Sequence, residues 1–302
     1  RRGVDLRPWQ GTPTMQSDGT HHPGIPGRSN PFWKRLKKNR LAVLGGGLLG
    51  FFLLVAVGAP ILAPSDPLAQ DLYNRLNPPS LSHPFGTDDF GRDLLSRVIY
   101  GSRISLRIGT VAVMIALVVG SLVGLFAGYW GGLLDQLLMR AMDLMLAFPS
   151  ILLAIGIVAV LGPGLENAML AVGTVAVPQY ARLVRASVLT IREQEYVAAA
   201  RALGAGDFRI LFLAVLPNCL APLIVQSTLG LATAILDAAG LSFLGLGAQP
   251  PVPEWGAMLN GGRELILSAP WVLTFPGLAI FLSVLAFNLL GDGLRDALDP
   301  RS

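Results

Sequence analysis

Chemistry at a protein site needs side chains that titrate, coordinate or attack, and this sequence spaces very few of them for that purpose. Of three histidines, His21 and His22 are adjacent in a Gly-, Pro-, Ser- and Thr-rich stretch and His83 stands alone. Two neighbouring histidines in such a stretch read as solvated before they read as metal ligands. The single cysteine, Cys219, has no second thiol for a disulfide or a CxxC site, and in an apolar segment it reads as packing. Asp135 and Asp143 lie about two helical turns apart, too far for a carboxylate pair on one turn. They read as charges at an interface. The sequence contains no GxxxxGK[ST] phosphate loop, no GxSxG elbow and no HExxH helix. No catalytic, cofactor-binding or metal-ligating set is therefore assigned, and the expectation is a protein that is not an enzyme.

The elements around these residues explain the scarcity. The chain has 302 residues, of which 52% are hydrophobic and 14% charged, with a mean hydropathy of +0.57. A soluble domain usually carries about a quarter charged residues, so the balance points to a membrane class. A crossing helix needs about 20 largely apolar residues. Six such stretches are expected, at 41–63, 105–129, 144–161, 168–188, 216–239 and 271–290, giving an all-α polytopic membrane protein. Residues 1–31 read as a flexible tail, with Met15 as one candidate start and no signal peptide, because the first apolar run is too long for one. Residues 32–104 hold the first span and an outer loop. Residues 105–302 form a five-helix core with a cytoplasmic loop at 189–217.

Orientation follows from basic residues beside the span ends. Lys34, Arg35, Lys37, Lys38 and Arg40 precede the first span, and alternation places most of the 23 Lys and Arg on the same, inner side. Both termini are expected in the cytoplasm. The outer segment 64–104 interleaves Arg75, Arg92, Arg97 and Arg103 with Asp71, Asp88, Asp89 and Asp93, which is nearly neutral and suits a folded loop. Thr87-Asp88-Asp89 is a possible cap for a helix over 90–100, and Trp255 and Trp271 suit an interface belt.

Gly120, Gly124, Gly128 and Gly132 recur every fourth residue, a smooth stripe for close helix approach; Gly46 and Gly50 repeat this on a smaller scale. Ionisable groups within spans mark ion pathways, yet only Asp237 falls inside one, near its outer end. Gln226, Asn218 and Asn288 either line a path or satisfy helix backbone, so the substrate path is left unassigned. A chain that moves solute with so few buried charges must draw its energy from elsewhere.

The loop between the fourth and fifth spans offers a way in. Arg192 to Leu203 is rich in helix formers, Gly204-Ala205-Gly206 breaks the helix with a turn suited to positive φ, and Asp207 sits where an N-cap belongs, ahead of a second helix to Leu216 and Pro217. The alanine run leaves the first helix thin enough to seat in a partner's groove, with Tyr196 as aromatic anchor and Arg201 as charged contact. An amphipathic connector lying on the bilayer fits the composition equally well.

These residues resemble a known family. The loop is similar to the EAA coupling motif of bacterial ABC importer permeases, and Tyr196-Val197, Ala199-Ala200-Arg201-Ala202, Gly204-Ala205 and Leu216-Pro217-Asn218 match its dipeptide, oligopeptide and nickel branch. Two positions depart from the generic motif: its acidic residue is Ala198 here and its later isoleucine is Ala214. Further blocks agree in order: Phe85-Gly86-Thr87-Asp88-Asp89-Phe90-Gly91-Arg92-Asp93, then Met139-Arg140 with Asp143 and Phe148-Pro149. Leu241-Ser242-Phe243-Leu244-Gly245-Leu246-Gly247 with Trp255-Gly256 follows, and Asn288 to Asp296 closes the series.

The resemblance implies a type I importer permease of the MetI-like fold, specifically the C-type member of a permease pair. It implies a B-type partner completing the pore, two cytoplasmic ATPases that bind ATP and magnesium, and an extracytoplasmic solute-binding protein. No nucleic acid is involved. Tyr196, Val197, Ala199, Ala200, Arg201, Gly204, Asp207, Leu216 and Pro217 become the ATPase-coupling set. Peptides are the favoured cargo, with nickel chelates and glutathione as alternatives in the same family. A stand-alone secondary transporter or a membrane scaffold would need neither the loop match nor a nucleotide-dependent partner.

Overall fold

The structure is a computed structural model that describes residues 36–298; His21, His22, Met15, Lys34, Arg35 and Arg301 lie outside the described residues. It is helical, and among the described residues the extended pairing is one isolated bridge, Thr87 with Asp93. The elements are α1 (Arg40–Leu62), α2 (Leu94–Trp130), α3 (Gly132–Leu146), α4 (Ser150–Leu161), α5 (Leu165–Ile191), α6 (Glu195–Ala202), α7 (Asp207–Ile210), α8 (Leu220–Phe243), α9 (Trp255–Gly262) and α10 (Trp271–Leu298).

Four helical stretches are long and apolar enough to cross a membrane: α1, α2, the run Asp207–Phe243, and α10. A fifth crossing is available if α3 and α4, bent by 94°, form one broken span. The break falls at Phe148-Pro149, where the proline ring cannot continue the helix before it. The remaining expected span, α5, has 27 residues but is diluted by Glu166, Asn167, Gln179, Arg182 and Arg185. It can be less apolar because much of its surface meets protein: Val172, Tyr180, Ala181, Val184 and Val188 are all buried.

Lipid-type exposure is clearest on α1, where Leu54, Val57 and Ile61 stand open. In water such a face would be an aggregation hazard; in a bilayer it is the ordinary outer surface of a span.

The α2–α5 pair is the most extensive helix contact, and the glycine stripe makes it. A Cβ on Gly120 would meet the Tyr180 Cβ at 2.5 Å, and one on Gly128 would meet the Val188 Cβ at 2.9 Å. Gly124 sits against Ala181 and Val184 in the same way. Gly132 is not part of this surface; it follows the helix end at φ +59 with open space around it. On α1 the close approach is made by Gly45, against Leu289 and Leu290 of α10, whereas Gly50 meets nothing. Glycine spacing indicated a smooth stripe there but not which rotation of the helix faces its neighbour.

At the end of the bundle where α2 begins, residues 64–93 fold as a tight cap. α2 starts later than a cap at Thr87 to Asp89 would place it: Asp93 is its N-cap, accepting from the Ser96 backbone N–H at 2.8 Å. Asp88 instead organises the loop, accepting from the Arg92 backbone N–H at 2.9 Å and its Nε at 2.7 Å, with Arg97 Nε at 3.4 Å. Both arginines are buried. Of water and acidic partners, the two settings their charge allows, they take the second: a carboxylate with two guanidiniums can be taken out of water because its lone pairs are filled.

The two tryptophans are likewise internal anchors. Trp255 is buried and donates to the Val98 carbonyl at 3.0 Å, and Trp271 donates to the Thr87 carbonyl at 3.2 Å. Glu254 caps α9 through the Gly256 and Ala257 N–H groups. Its own burial pushes its carboxyl above the usual carboxylate range, against the pull of those two bonds.

Candidate functional site

The loop 189–217 lies at the opposite end of the bundle from Glu254, and each of its two halves is pinned to the last turn of α2. Arg192, the cap of α5, donates from Nη1 to the Gly128 carbonyl at 2.8 Å. The Tyr129 hydroxyl donates to Asp207 Oδ1 at 2.7 Å and faces Arg201 Nη2 at 3.4 Å. The rings of Trp130 and Phe208 pack with centroids 5.6 Å apart. Three consecutive residues, Gly128 to Trp130, therefore hold a loop some seventy positions further along the chain.

Within the loop, α6 is eight residues, EYVAAARA. One face is fixed: Val197 is fully buried and Ala200 half-buried. The opposite side presents Tyr196, Ala199 and Leu203 at helical spacing, with Leu203 88% exposed. Alanine keeps this ridge low, so a partner's groove can reach the helix backbone closely.

The helix ends in a Schellman turn. Ala205 N–H bonds the Ala200 carbonyl at 3.1 Å and Gly204 N–H bonds the Arg201 carbonyl at 3.0 Å. Gly204 stands at φ +82, a conformation in which a Cβ is strained. That was legible in the sequence.

Asp207 takes a different part from the one its position suggested. The cap of α7 is Gly206, with no side-chain bond, and Asp207 is the first helical residue. Its carboxylate is turned away to Tyr129 instead, although an acid in the first turn still suits the helix dipole. α7 then runs through a π-turn at Leu211–Val215 and a 3-10 turn at Leu216–Cys219 into α8. Leu216 and Pro217 sit in that join, and Asn218 beside them donates to the Tyr196 hydroxyl at 3.1 Å and the Ala214 carbonyl at 2.7 Å. The structure thus brings Arg201 and Asp207 together through Tyr129, and holds Tyr196 separately on Asn218, within the one loop. Val197 and Ala200 lie beneath it, and Ala199 and Gly204 are on its surface.

Beside the loop, α3 is strapped to α5 by ion pairs. Arg185 grips Asp135 with both Nε and Nη2, and Arg182 pairs with Asp143. The expected interface charges thus also fasten two helices of the chain together. Sequence reasoning missed Tyr129, Trp130 and Arg192. The only local signal was an aromatic pair ahead of the Gly131-Gly132 break.

Comparison with known proteins places this architecture. Residues 120–302 match the family model described as binding-protein-dependent transport system inner membrane component. Residues 30–79 match the N-terminal TM domain of oligopeptide transport permease C. The dipeptide transport system permease protein DppC of Alkalihalophilus pseudofirmus is 55% identical over 89% of this chain and 88% of its own. The di/tripeptide transport system permease protein DppC of Pseudomonas aeruginosa is 54% identical, covering 89% and 91%. The glutathione transport system permease protein GsiD of Pectobacterium atrosepticum is 47% identical, covering 89% and 90%. Among solved structures, the MetNI methionine ABC transporter in an inward-facing form aligns with a TM-score of 0.57 at 21% identity, over 68% of this chain and 98% of that one. This last likeness concerns the fold. Spans for a bilayer, a pinned helix–turn–helix loop and these relatives agree: the chain is a multi-pass membrane protein that belongs to the binding-protein-dependent transport system inner membrane components, the permease subunits of ABC importers.

Proposed function

We propose that this chain is the C-type permease of an importer for di- or oligopeptides, forming half of the translocation pore beside a B-type subunit. Two partner ATPases bind ATP and magnesium and dock at 189–217, and an extracytoplasmic solute-binding protein delivers cargo at the opposite end. In this reading the loop end and both termini face the cytoplasm. Residues 32–104 supply the first span and the outer cap, and 105–302 the five-helix core. The observation that carries the proposal is the thin, exposed ridge of α6 held on a rigid base. A helix that is open on one face and bonded on the other transmits a push rather than absorbing it.

In mechanism, Tyr196, Ala199 and Leu203 occupy a groove in the ATPase, as amphipathic helices do elsewhere. Closure of the ATPase pair displaces the groove, and α6 carries the ends of α5, α8 and α2 with it. Because α2 and α5 meet backbone to backbone, the bundle rocks as a body, and the pore opens to the other side. Docking relies on shape, Tyr196 and Arg201, since Ala198 stands where the generic motif is acidic.

The test uses the full assembly in proteoliposomes. Gly204→Val, which strains the φ +82 turn, and Arg201→Ala are each expected to cut both uptake and substrate-stimulated ATP hydrolysis by on the order of tenfold, the equivalent of about 1.4 kcal/mol. Unchanged values for both variants in an intact assembly would refute the coupling role. Relatives named for glutathione favour that tripeptide as the second cargo, to be tried in the same vesicles.

A further inference from the structure

The carboxylate of Asp237 has no hydrogen bond or ion pair among the described residues, although it lies in a membrane-crossing helix. It is six residues from the end of α8 at Phe243, roughly 9 Å along the axis. Polar groups converge beside it. Asp237 lines a cavity of about 210 Å³ between α2, α4, α5 and α8, together with Ser150, Gln179, Tyr180 and Thr233. Thr233 is one turn before Asp237 on the same face of α8. Ser150, Gln179 and Thr233 are exposed in the isolated chain and Asp237 is half-buried, so this surface is open.

Such a face cannot look onto hydrocarbon, where an unpaired carboxylate and an amide are both costly. It must face an aqueous path or a partner. Tyr180 closes the floor, its hydroxyl donating to the Gln226 carbonyl at 3.4 Å. Val113 and Val172 give one wall an apolar surface. The cavity therefore offers a carboxyl group, neutral acceptors and an apolar wall together, in a space suited to one end of a ligand.

We infer that Asp237 is a recognition site in the pore for the α-ammonium group of the transported peptide, with Gln179, Ser150 and Thr233 as accessory acceptors and the valine wall taking the first side chain. This rests on the peptide-import reading above and deepens it. The remainder of the peptide extends toward the half of the pore made by the other permease subunit. A charge-assisted bond of this kind orients the cargo by its amino end yet is single and exposed enough to release it.

The experiment uses the complete assembly with Leu236→Cys as a reporter, since Leu236 lines the same cavity and is exposed while Cys219 is buried. The rate of labelling by a methanethiosulfonate reagent is measured with and without alanyl-alanine, and uptake of alanyl-alanine is measured in the same vesicles. With Asp237 present the dipeptide slows labelling of the reporter. Asp237→Asn abolishes that protection and lowers uptake by on the order of tenfold, the subunits co-purify as before, and Asp237→Glu restores both. Equal protection with Asn would overturn the proposal. Dissociation of the subunits on Asp237→Asn would overturn it too, by showing that the carboxylate pairs with the other permease. If the unsubstituted assembly takes up no alanyl-alanine, the peptide reading falls and the subsite with it; uptake with undiminished protection removes the subsite alone.

Discussion

Tyr129 decides how the loop is held. Its hydroxyl bridges Asp207 and Arg201, two groups of opposite charge from the two sides of the Gly204 turn. Tyr129→Phe keeps the ring against Trp130, at 5.1 Å between centroids, and deletes only the bridge. The expected outcome is fewer substrate molecules moved per ATP hydrolysed, by a few-fold, with assembly retained. A double-mutant cycle with Asp207→Asn is expected to be non-additive by about 0.5–3 kcal/mol in the free energy of thermal unfolding, as for residues in direct contact. Additive losses would separate the two residues. At this scale the sequence was half legible. Gly204 announced its positive φ, and Tyr196 and Arg201 announced exposure, because both depend on local conformation. Tyr129 could not be found, since its partner lies far along the chain and nothing in local spacing encodes that meeting. For the same reason Asp207 read as a cap when it is a partner of Tyr129.

Elements were more legible than their contacts. Apolar length matched α1 to within one residue at each end but missed the first eleven residues of α2 and the last eight of α10, and the expected span 144–161 ran through Phe148-Pro149, where the helix breaks between α3 and α4. α5 was expected as a largely apolar crossing at 168–188; at 27 residues it is long enough, but its polar residues keep it out of the helices apolar enough to cross. The glycine stripe predicted a close partner for α2 without naming it. That partner is α5, and the contact is tight enough to be tested at Gly124, where an added Cβ would come within 2.8 Å of the Val184 Cβ. Gly124→Val should force the two helices apart and destabilise the assembly by about 1–3 kcal/mol, seen as a lower melting temperature in detergent. The same substitution at Gly50, which has nothing within 4 Å, is expected to leave the melting temperature within about 1 °C of the unsubstituted assembly. Equal effects at the two sites would remove the glycine contact as a source of stability.

The whole molecule carries two unlike ends. One is a cap locked by Asp88, Asp93 and the two tryptophans, and the other is a loop with a naked apolar ridge. The proposed topology puts the ridge in the cytoplasm. In sealed right-side-out vesicles, Leu203→Cys should therefore resist a membrane-impermeant thiol reagent, while Leu81→Cys, fully exposed in the cap, should react. Reversal of that pattern would invert the protein.

The continuity of α2 has a mechanical consequence. It is 37 residues long without a break, about 55 Å at 1.5 Å per residue, and it touches the loop at Tyr129 and begins inside the cap at Leu94. Fused along its length to α5, it is a beam with its load at one tip and its reader at the other. A tilt of about 5° at the Tyr129 end would swing the Leu94 end through roughly 5 Å. In the proposed topology, a small displacement at the loop end would thereby arrive at the cap end already enlarged, with no intervening joint to dissipate it.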